Sequence, residues 1–168
     1  IQAVVEVAHM SGKRVAAHVG GDKAIRDAVR LGVDCIEHGY VLSEETARIM
    51  ADAGTYLVPT LAVTHAFDYL ERHGSPSYHV DKAREASHFH LDSIRGAIGA
   101  GVKIAVGTDL LPSDPLDGTN ATVRELELLV EAGMTSLQAI RAATLSSAEL
   151  CQVDHITGSL AEGKQGDL

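Results

Sequence analysis

The sequence predicts an α/β fold with a parallel sheet, and two observations support this. Short apolar runs bounded by glycine alternate with longer segments whose apolar residues recur at helical spacing, which is the pattern of βαβ units. Four such units occupy 168 residues, whereas a closed (β/α)8 barrel usually needs about 250 residues. We therefore expect parallel (β/α) units that form half of a TIM-type barrel, followed by trailing helices.

Each predicted strand is short and rich in apolar or β-branched residues, as expected for a parallel strand that is buried on both faces. The strands cover residues 14–19, 33–38, 55–61 and 102–106. The last run leads into Gly107-Thr108-Asp109, so it delivers a carboxylate at its carboxyl end. In an α/β barrel that end carries the active site, because the βα loops open there.

Helices are predicted where apolar residues recur at helical spacing between an N-cap and a glycine stop. They cover residues 1–11, 22–31, 43–53, 81–100, 122–133 and 135–150. Asp22 and Ser43 are the expected N-caps of the second and third helices. Capping boxes are expected at Thr122–Glu125 and Thr135–Gln138.

Two connections between these elements are expected to be loops. Residues 64–80 form a long βα connection with room for a helical turn of its own, and residues 110–118 contain two prolines. Because such loops shape substrate pockets in barrels, one of the histidines in the first connection is a candidate to touch substrate. The histidines are His65, His73 and His79.

Composition argues against two classes of partner. The net charge is −9 and the lysines and arginines are scattered singly, so no basic face is available for nucleic acid. No apolar run approaches the roughly 20 residues that span a bilayer. The two cysteines show neither C-x-x-C spacing nor the density of a disulfide framework, so we expect reduced thiols in the cytoplasm.

Both ends of the sequence look cut. It begins at Ile1 within an apolar pattern of helical spacing, and it ends in a turn-like segment at residues 163–168. We therefore expect the chain to be a piece of a longer protein.

Three of the four predicted strands end in a residue type that ligates metals, namely His18, His38 and Asp109. Since strand side chains alternate, His18 should share a face with Ala16 and His38 with Ile36, so that the three side chains converge on the barrel mouth. Imidazole and carboxylate together suit zinc and similar divalent ions. One strand-end histidine alone is more often a structural residue, so the prediction depends on all three.

Two further features are interpreted as structural. By the same alternation, Glu37 should point toward the helix layer, as a buried acid that needs a partner. His88-Phe89-His90 has the H-x-H spelling of a metal motif. However, residues i and i+2 of a helix do not face one another, so we expect these histidines to have surface or core roles.

The sequence resembles the second half of an amidohydrolase-superfamily barrel, and it is most similar to the prolidase-like and imidazolonepropionase-related metal-dependent hydrolases. Four motifs in order carry the resemblance: Val15-Ala16-Ala17-His18, Ile36-Glu37-His38-Gly39, Pro59-Thr60-Leu61 and Gly107-Thr108-Asp109. The resemblance implies that the strands are the fifth to the eighth of the barrel. It also implies that residues 1–152 are the partial hydrolase barrel and residues 153–168 an exit segment toward a β-sandwich domain.

The resemblance implies a role for each candidate residue. His18 matches the histidine after strand five and His38 the histidine after strand six, and both are metal ligands in the family. Asp109 matches the aspartate after strand eight, which binds metal, takes the proton from the attacking water and passes it to the leaving nitrogen. Thr108 would support Asp109. Tyr40 follows His38 by two residues and so faces the same mouth, where its hydroxyl is a candidate to contact substrate; the alternative is that its ring packs at the rim. The complete site would hold one or two divalent ions, with zinc expected first, and its H-x-H motif and carboxylated lysine would precede Ile1.

The implied activity is metal-dependent hydrolysis of an amide C–N bond in a small molecule or dipeptide, by an Xaa-Pro dipeptidase or carboxypeptidase. An imidazolonepropionase-like cyclic amidohydrolase is the second candidate in this class. A candidate from another class is a non-catalytic half-barrel that self-associates as a homo-oligomer, or pairs with the missing half, to cover its open sheet edges. A phosphate-binding barrel isomerase is not favoured, because Leu110-Leu111-Pro112 is not a glycine-rich phosphate loop.

Overall fold

The computed structural model describes residues 1–110 and 115–166, and its centre is a four-stranded sheet in the order β1-β2-β3-β4. The strands are β1 Ala16–Val19, β2 Cys35–His38, β3 Tyr56–Val58 and β4 Lys103–Ile104. All three neighbouring pairs are parallel, and the order in the sheet follows the order in the chain. The predicted α/β class with a parallel sheet is confirmed. The assignment of these strands as the fifth to the eighth of a barrel stays a prediction, as do the proposed domain boundaries.

Helices connect the strands and follow the last one. They are α1 Gln2–Met10, α2 Asp22–Arg30, α3 Glu44–Ala53, α4 Leu61–His65, α5 Phe67–Arg72, α6 Ser77–Gly99, α7 Pro115–Glu131, α8 Ser136–Arg141 and α9 Ser147–Leu150. A π-helical turn, Ala142–Ser146, joins α8 to α9. None of the described helices is long and apolar enough to cross a membrane.

The main core lies between the sheet and the helices. Ile36, Leu57 and Ile104 from successive strands pack there, and the fully buried helix residues that join them include Ile25, Met50, Ile94 and Leu128. Each fully buried side chain of this size stabilises the fold by roughly 1.5–3 kcal/mol. On the opposite face, a smaller cluster comprises Cys35, Tyr56, Val58 and Ala105. The strands therefore present alternate residues to two apolar layers.

Several predicted helix ends are confirmed by their caps. The Ser43 hydroxyl accepts a hydrogen bond from the Thr46 amide, and Gly54 ends α3 in the left-handed conformation with φ 71°. Thr135 and Gln138 form the predicted capping box of α8. The predicted cap at Asp22 is wrong, because Gly21 is the N-cap of α2. The Asp22 carboxylate instead accepts from the Ser43 amide at 2.7 Å.

The second half of the chain contains the larger errors of prediction. Helix α6 begins at Ser77 rather than at residue 81, and residues 61–72 form two short helices within the predicted β3 strand and long connection. Helix α7 begins at Pro115, a favoured first helical residue, so the capping box predicted at Thr122–Glu125 is wrong. Residues 111–114 of the predicted loop 110–118 lie outside the described residues.

Candidate functional site

Backbone strain is concentrated where the strands end. Within the described residues, the non-glycine positions with positive φ are His38 (72°), Thr60 (53°), Asp109 (53°) and Gln152 (60°). The first three lie at or beyond the carboxyl ends of β2, β3 and β4. A left-handed non-glycine residue costs about 1–3 kcal/mol and persists only where its surroundings hold it, which is common at functional sites. The strain therefore coincides with the predicted site.

The two predicted histidine ligands lie in direct contact. Nε2 of His38 is 2.8 Å from Nδ1 of His18, and the ring centroids are 4.3 Å apart in an edge-to-face arrangement. His18 is exposed at the end of β1, whereas His38 is buried with 3% exposure. Burial, and next the neighbouring His18, lower the pKa of His38. A neutral His38 ring is the form that binds metals.

The faces predicted for His38 and Glu37 are wrong. Glu37 lies on the same face of the sheet as Cys35, whose thiol donates to its carboxylate at 3.1 Å, while Ile36 packs on the other face, in the main core beneath the helices. Burial raises the pKa of Glu37, and the nearby charge of Asp109 adds to this rise. His38 does not continue the alternation because its left-handed backbone turns the side chain toward His18. The alternation of side chains along a strand therefore does not predict the face of this residue.

Asp109 is exposed and lies close enough to affect the other groups. Its negative charge opposes the lowering of the His38 pKa and adds to the rise that burial causes in the Tyr40 pKa. The Thr108 hydroxyl accepts from the Leu110 amide at 3.3 Å, so it closes the turn that contains Asp109. Across residues 1–110 and 120–166, whose side chains the structure describes, no three His, Cys, Asp or Glu side chains are grouped closely enough to hold a metal. The metal-ligand assignments stay predictions.

Tyr40 stacks on the candidate site. Its ring is parallel to that of His38 at 5.1 Å and meets the ring of His90 edge-on at 4.8 Å. Gly20 allows this approach, since a Cβ there would be 3.0 Å from the tyrosine ring. The stack explains the position of Tyr40 by packing, and its predicted contact with substrate stays a prediction.

A cavity of about 520 Å³ adjoins the two candidate residues His18 and Tyr40. Its far side includes His79 and Lys82 from α6. Of the three histidines in the long connection, His79 therefore lines the cavity beside the candidate site. His65 lines a separate cavity of about 370 Å³. A larger apolar cavity of about 930 Å³ lies among residues 137–165 and includes no predicted site residue.

His90 supports the site from α6, as a core residue rather than a ligand. It is fully buried, and burial lowers its pKa to about 4, so the ring is neutral near pH 7. Nε2 donates to the His38 carbonyl at 3.1 Å, because a carbonyl can only accept. Nδ1 must then accept from the Thr64 hydroxyl, 2.8 Å away. The core role is one of the two expected for His90, whereas His88 is exposed.

Sequence reasoning missed Thr60 and Glu125. The Thr60 hydroxyl lies 2.7 Å from Nδ1 of His38. Glu125 is fully buried and accepts from the amides of Leu61 (2.9 Å) and Ala62 (2.7 Å). One signal for Glu125 was available: it lies four residues after Ala121 and before Leu129, in the apolar stripe of its helix. A carboxylate in that stripe indicates a buried partner.

The fold and the strand-end histidines define a class, that of parallel α/β proteins with polar side chains collected at the carboxyl edge of the sheet. Comparison with known proteins makes the class specific: the profile of the Amidohydrolase family matches residues 1–168. The chain belongs to the amidohydrolase family. The family resemblance inferred from the four strand-end motifs is confirmed.

Individual relatives agree with this assignment. The chain is 34% identical to the ochratoxinase of Aspergillus niger over 170 residues, which covers 100% of the chain and 34% of that protein. It is 31% identical to the imidazolonepropionase of Geobacillus kaustophilus over 143 residues, covering 84% of the chain and 28% of that protein. The crystal structure of a Xaa-Pro dipeptidase with bound methionine superposes with a TM-score of 0.84 at 34% identity, over 99% of this chain and 40% of that one. The chain thus spans about a third of the length of the curated relatives it matches.

Proposed function

We propose that the protein is a metal-dependent hydrolase of amide C–N bonds. The observation that carries this proposal is the convergence of Nδ1 of His18 and Nε2 of His38, 2.8 Å apart, at the strained carboxyl edge of the sheet. Two imidazole nitrogens with a nearby carboxylate form a donor set that suits zinc. His18, His38 and Asp109 would hold the ion. When bound, a divalent metal lowers the pKa of its water to about 7 and polarises the scissile carbonyl.

Asp109 is the proposed proton carrier. It is exposed to the open mouth of the site, so a water molecule and a leaving nitrogen can both reach it. A carboxylate in this place accepts the proton of the attacking water and then donates it to the leaving amine. Thr108 supports Asp109 by closing the turn around it, and Tyr40 together with His18 borders the cavity for the substrate.

The proposed substrate class is a dipeptide or a similar small amide, cleaved by an Xaa-Pro dipeptidase or carboxypeptidase. The name of the dipeptidase relative supports it, and the cavity of about 520 Å³ is of a size typical for small-molecule sites. An imidazolonepropionase-like reaction is the second candidate, favoured by the relative of that name. The partial coverage of the relatives favours a third candidate, in which the 168-residue chain alone does not catalyse and associates with itself.

The test uses the complete product of the gene that encodes this chain. Its bound zinc is measured by elemental analysis, and hydrolysis is assayed on a panel of dipeptides that includes Xaa-Pro substrates and on a cyclic amide. We expect one or two zinc ions per protein and a loss of kcat of about 100-fold or more in Asp109→Asn. Asp52→Asn, an exposed change on α3, is the matched control and should retain full activity.

The outcomes separate the candidates. Zinc binding without cleavage of any amide would refute the hydrolase proposal. For the 168-residue chain alone, sedimentation that shows a stable oligomer with no bound zinc would support the non-catalytic alternative. Preference for the cyclic amide over every dipeptide would favour the imidazolonepropionase-like reaction.

A further inference from the structure

The turn between β3 and α4 is built in an unusual way. Thr60 is the N-cap of α4 and is left-handed, with φ 53° and ψ 42°, yet its side chain makes no capping bond. Its hydroxyl lies instead 2.7 Å from Nδ1 of His38. An N-cap threonine normally accepts from an amide in the first helical turn. The amides at the start of α4 therefore need another acceptor.

Glu125 provides that acceptor from a distant helix. Its two carboxylate oxygens accept separately from the amides of Leu61 at 2.9 Å and Ala62 at 2.7 Å. The side chain is fully buried, and burial raises its pKa to about 7, although the two amide bonds oppose this rise. Burial of an ionisable group in an apolar helix stripe is unfavourable, so its presence here calls for a reason.

The geometry suggests that the reason lies at His38. With Glu125 bonded to the amides, the Thr60 hydroxyl is left to face the histidine, and Thr60 is held in a conformation that β-branched residues rarely adopt. If the Thr60 oxygen accepts from Nδ1–H, then Nε2 of His38 carries the lone pair. That lone pair points at Nδ1 of His18, 2.8 Å away. The carbonyl of His38 is fixed separately, by His90 at 3.1 Å.

We propose that Glu125 is a positioning residue for His38 and acts through Thr60. It holds the β3–α4 turn so that the Thr60 hydroxyl selects the Nδ1–H tautomer of His38 and directs Nε2 into the site. Outer partners of this kind fix the tautomer and orientation of ligand histidines in metal sites. The effect on metal binding rests on the proposed function, whereas the effect on the tautomer does not.

The test compares four variants of the complete gene product. Thr60→Val removes the hydroxyl at constant shape, and Thr60→Ser retains it. Glu125→Gln leaves one amide without its carboxylate acceptor. Glu127→Gln is the matched control, since this exposed residue lies on the same helix and pairs with Arg124.

The first measurement is the imidazole ¹⁵N shifts of His38 in metal-free protein, from long-range ¹H–¹⁵N correlation spectra. We expect a protonated Nδ1 in the parent, in Thr60→Ser and in Glu127→Gln. In Thr60→Val and Glu125→Gln the two nitrogen shifts should move toward each other as both tautomers become populated. The second measurement is zinc affinity by competition with a chromophoric chelator, which should fall about 10–100-fold in the same two variants.

Three results would overturn the proposal: a parent protein with its proton on Nε2, tautomer shifts unchanged in Thr60→Val and Glu125→Gln, or weaker zinc binding without a tautomer change. The last result would indicate a role in stability alone. If Glu125→Gln does not fold, the comparison of Thr60→Val with Thr60→Ser still decides whether the Thr60 hydroxyl selects the tautomer of His38. The role of Glu125 is then tested with Glu125→Asp, which keeps the carboxylate but shortens the side chain. A tautomer change as expected in a protein that cleaves no amide would refute the hydrolase and leave the positioning role standing.

Discussion

The buried carboxyl group of Glu125 should make the stability of the protein depend on pH in a direction opposite to that of most acids. Burial raises the pKa of Glu125 from 4.5 to about 7 in the folded state. The folded protein therefore holds this proton more tightly than the unfolded chain does. Its contribution to stability is complete below pH 4.5 and is lost as the pH rises toward 7.

The size of the effect follows from the same two values. A shift from 4.5 to about 7, at about 1.4 kcal/mol per pKa unit, corresponds to roughly 3 kcal/mol of unfolding free energy across this interval. Replacing Glu125 with glutamine removes the titration and leaves the volume nearly unchanged. The difference in unfolding free energy between the parent and Glu125→Gln should therefore change by about 3 kcal/mol between pH 4.5 and 7.5, the parent losing stability relative to the variant.

Urea denaturation followed by far-ultraviolet circular dichroism measures this difference, because the chain contains no tryptophan. Both proteins are unfolded at four pH values between 4.5 and 7.5 at constant ionic strength. Comparison at each pH cancels the other titrating groups, such as His90, whose lowered pKa of about 4 acts in the opposite direction. Glu127→Gln serves as the exposed control and should show no such trend. A parent-to-Glu125→Gln difference that stays constant within about 0.5 kcal/mol would show that Glu125 does not titrate as the structure implies.

Three further changes have definite expected outcomes. His90→Phe leaves the buried His38 carbonyl without its donor, whereas the Thr64 hydroxyl keeps the Leu61 carbonyl as an acceptor at 3.2 Å. The substitution should therefore lower the unfolding free energy by about 1–3 kcal/mol in urea titrations, and His88→Phe at an exposed site should have little effect. Gly39→Ala places a Cβ 2.9 Å from Leu57 at a left-handed position with φ 67°. Gly12 has nearly the same φ of 66° but open space around it, so Gly39→Ala should lower the unfolding free energy by about 1–3 kcal/mol more than Gly12→Ala does. Equal losses in the two variants would contradict the clash. Thr135→Ala removes the capping box of α8 and should reduce stability by about 1 kcal/mol, visible as a lower Tm.

The sequence by itself determined the class of fold and the candidates for the site. Alternating apolar runs and helical stripes predict parallel β/α units, because burial on both faces of a sheet requires such a pattern. The caps at Ser43 and Thr135 were predictable, since a capping bond joins residues only three positions apart. His18, His38 and Asp109 could be selected because parallel strands bring their carboxyl ends to one edge.

Only the tertiary structure decided how the site is supported. The contacts of Glu125 with Leu61 and Ala62 join residues more than 60 positions apart, and His90 meets the His38 carbonyl across 52 positions. Local pattern carries no information about such pairs. The left-handed backbone at His38 also reversed the face predicted for its side chain. That conformation is unfavourable for the residue alone, so it depends on the surrounding contacts that hold it in place.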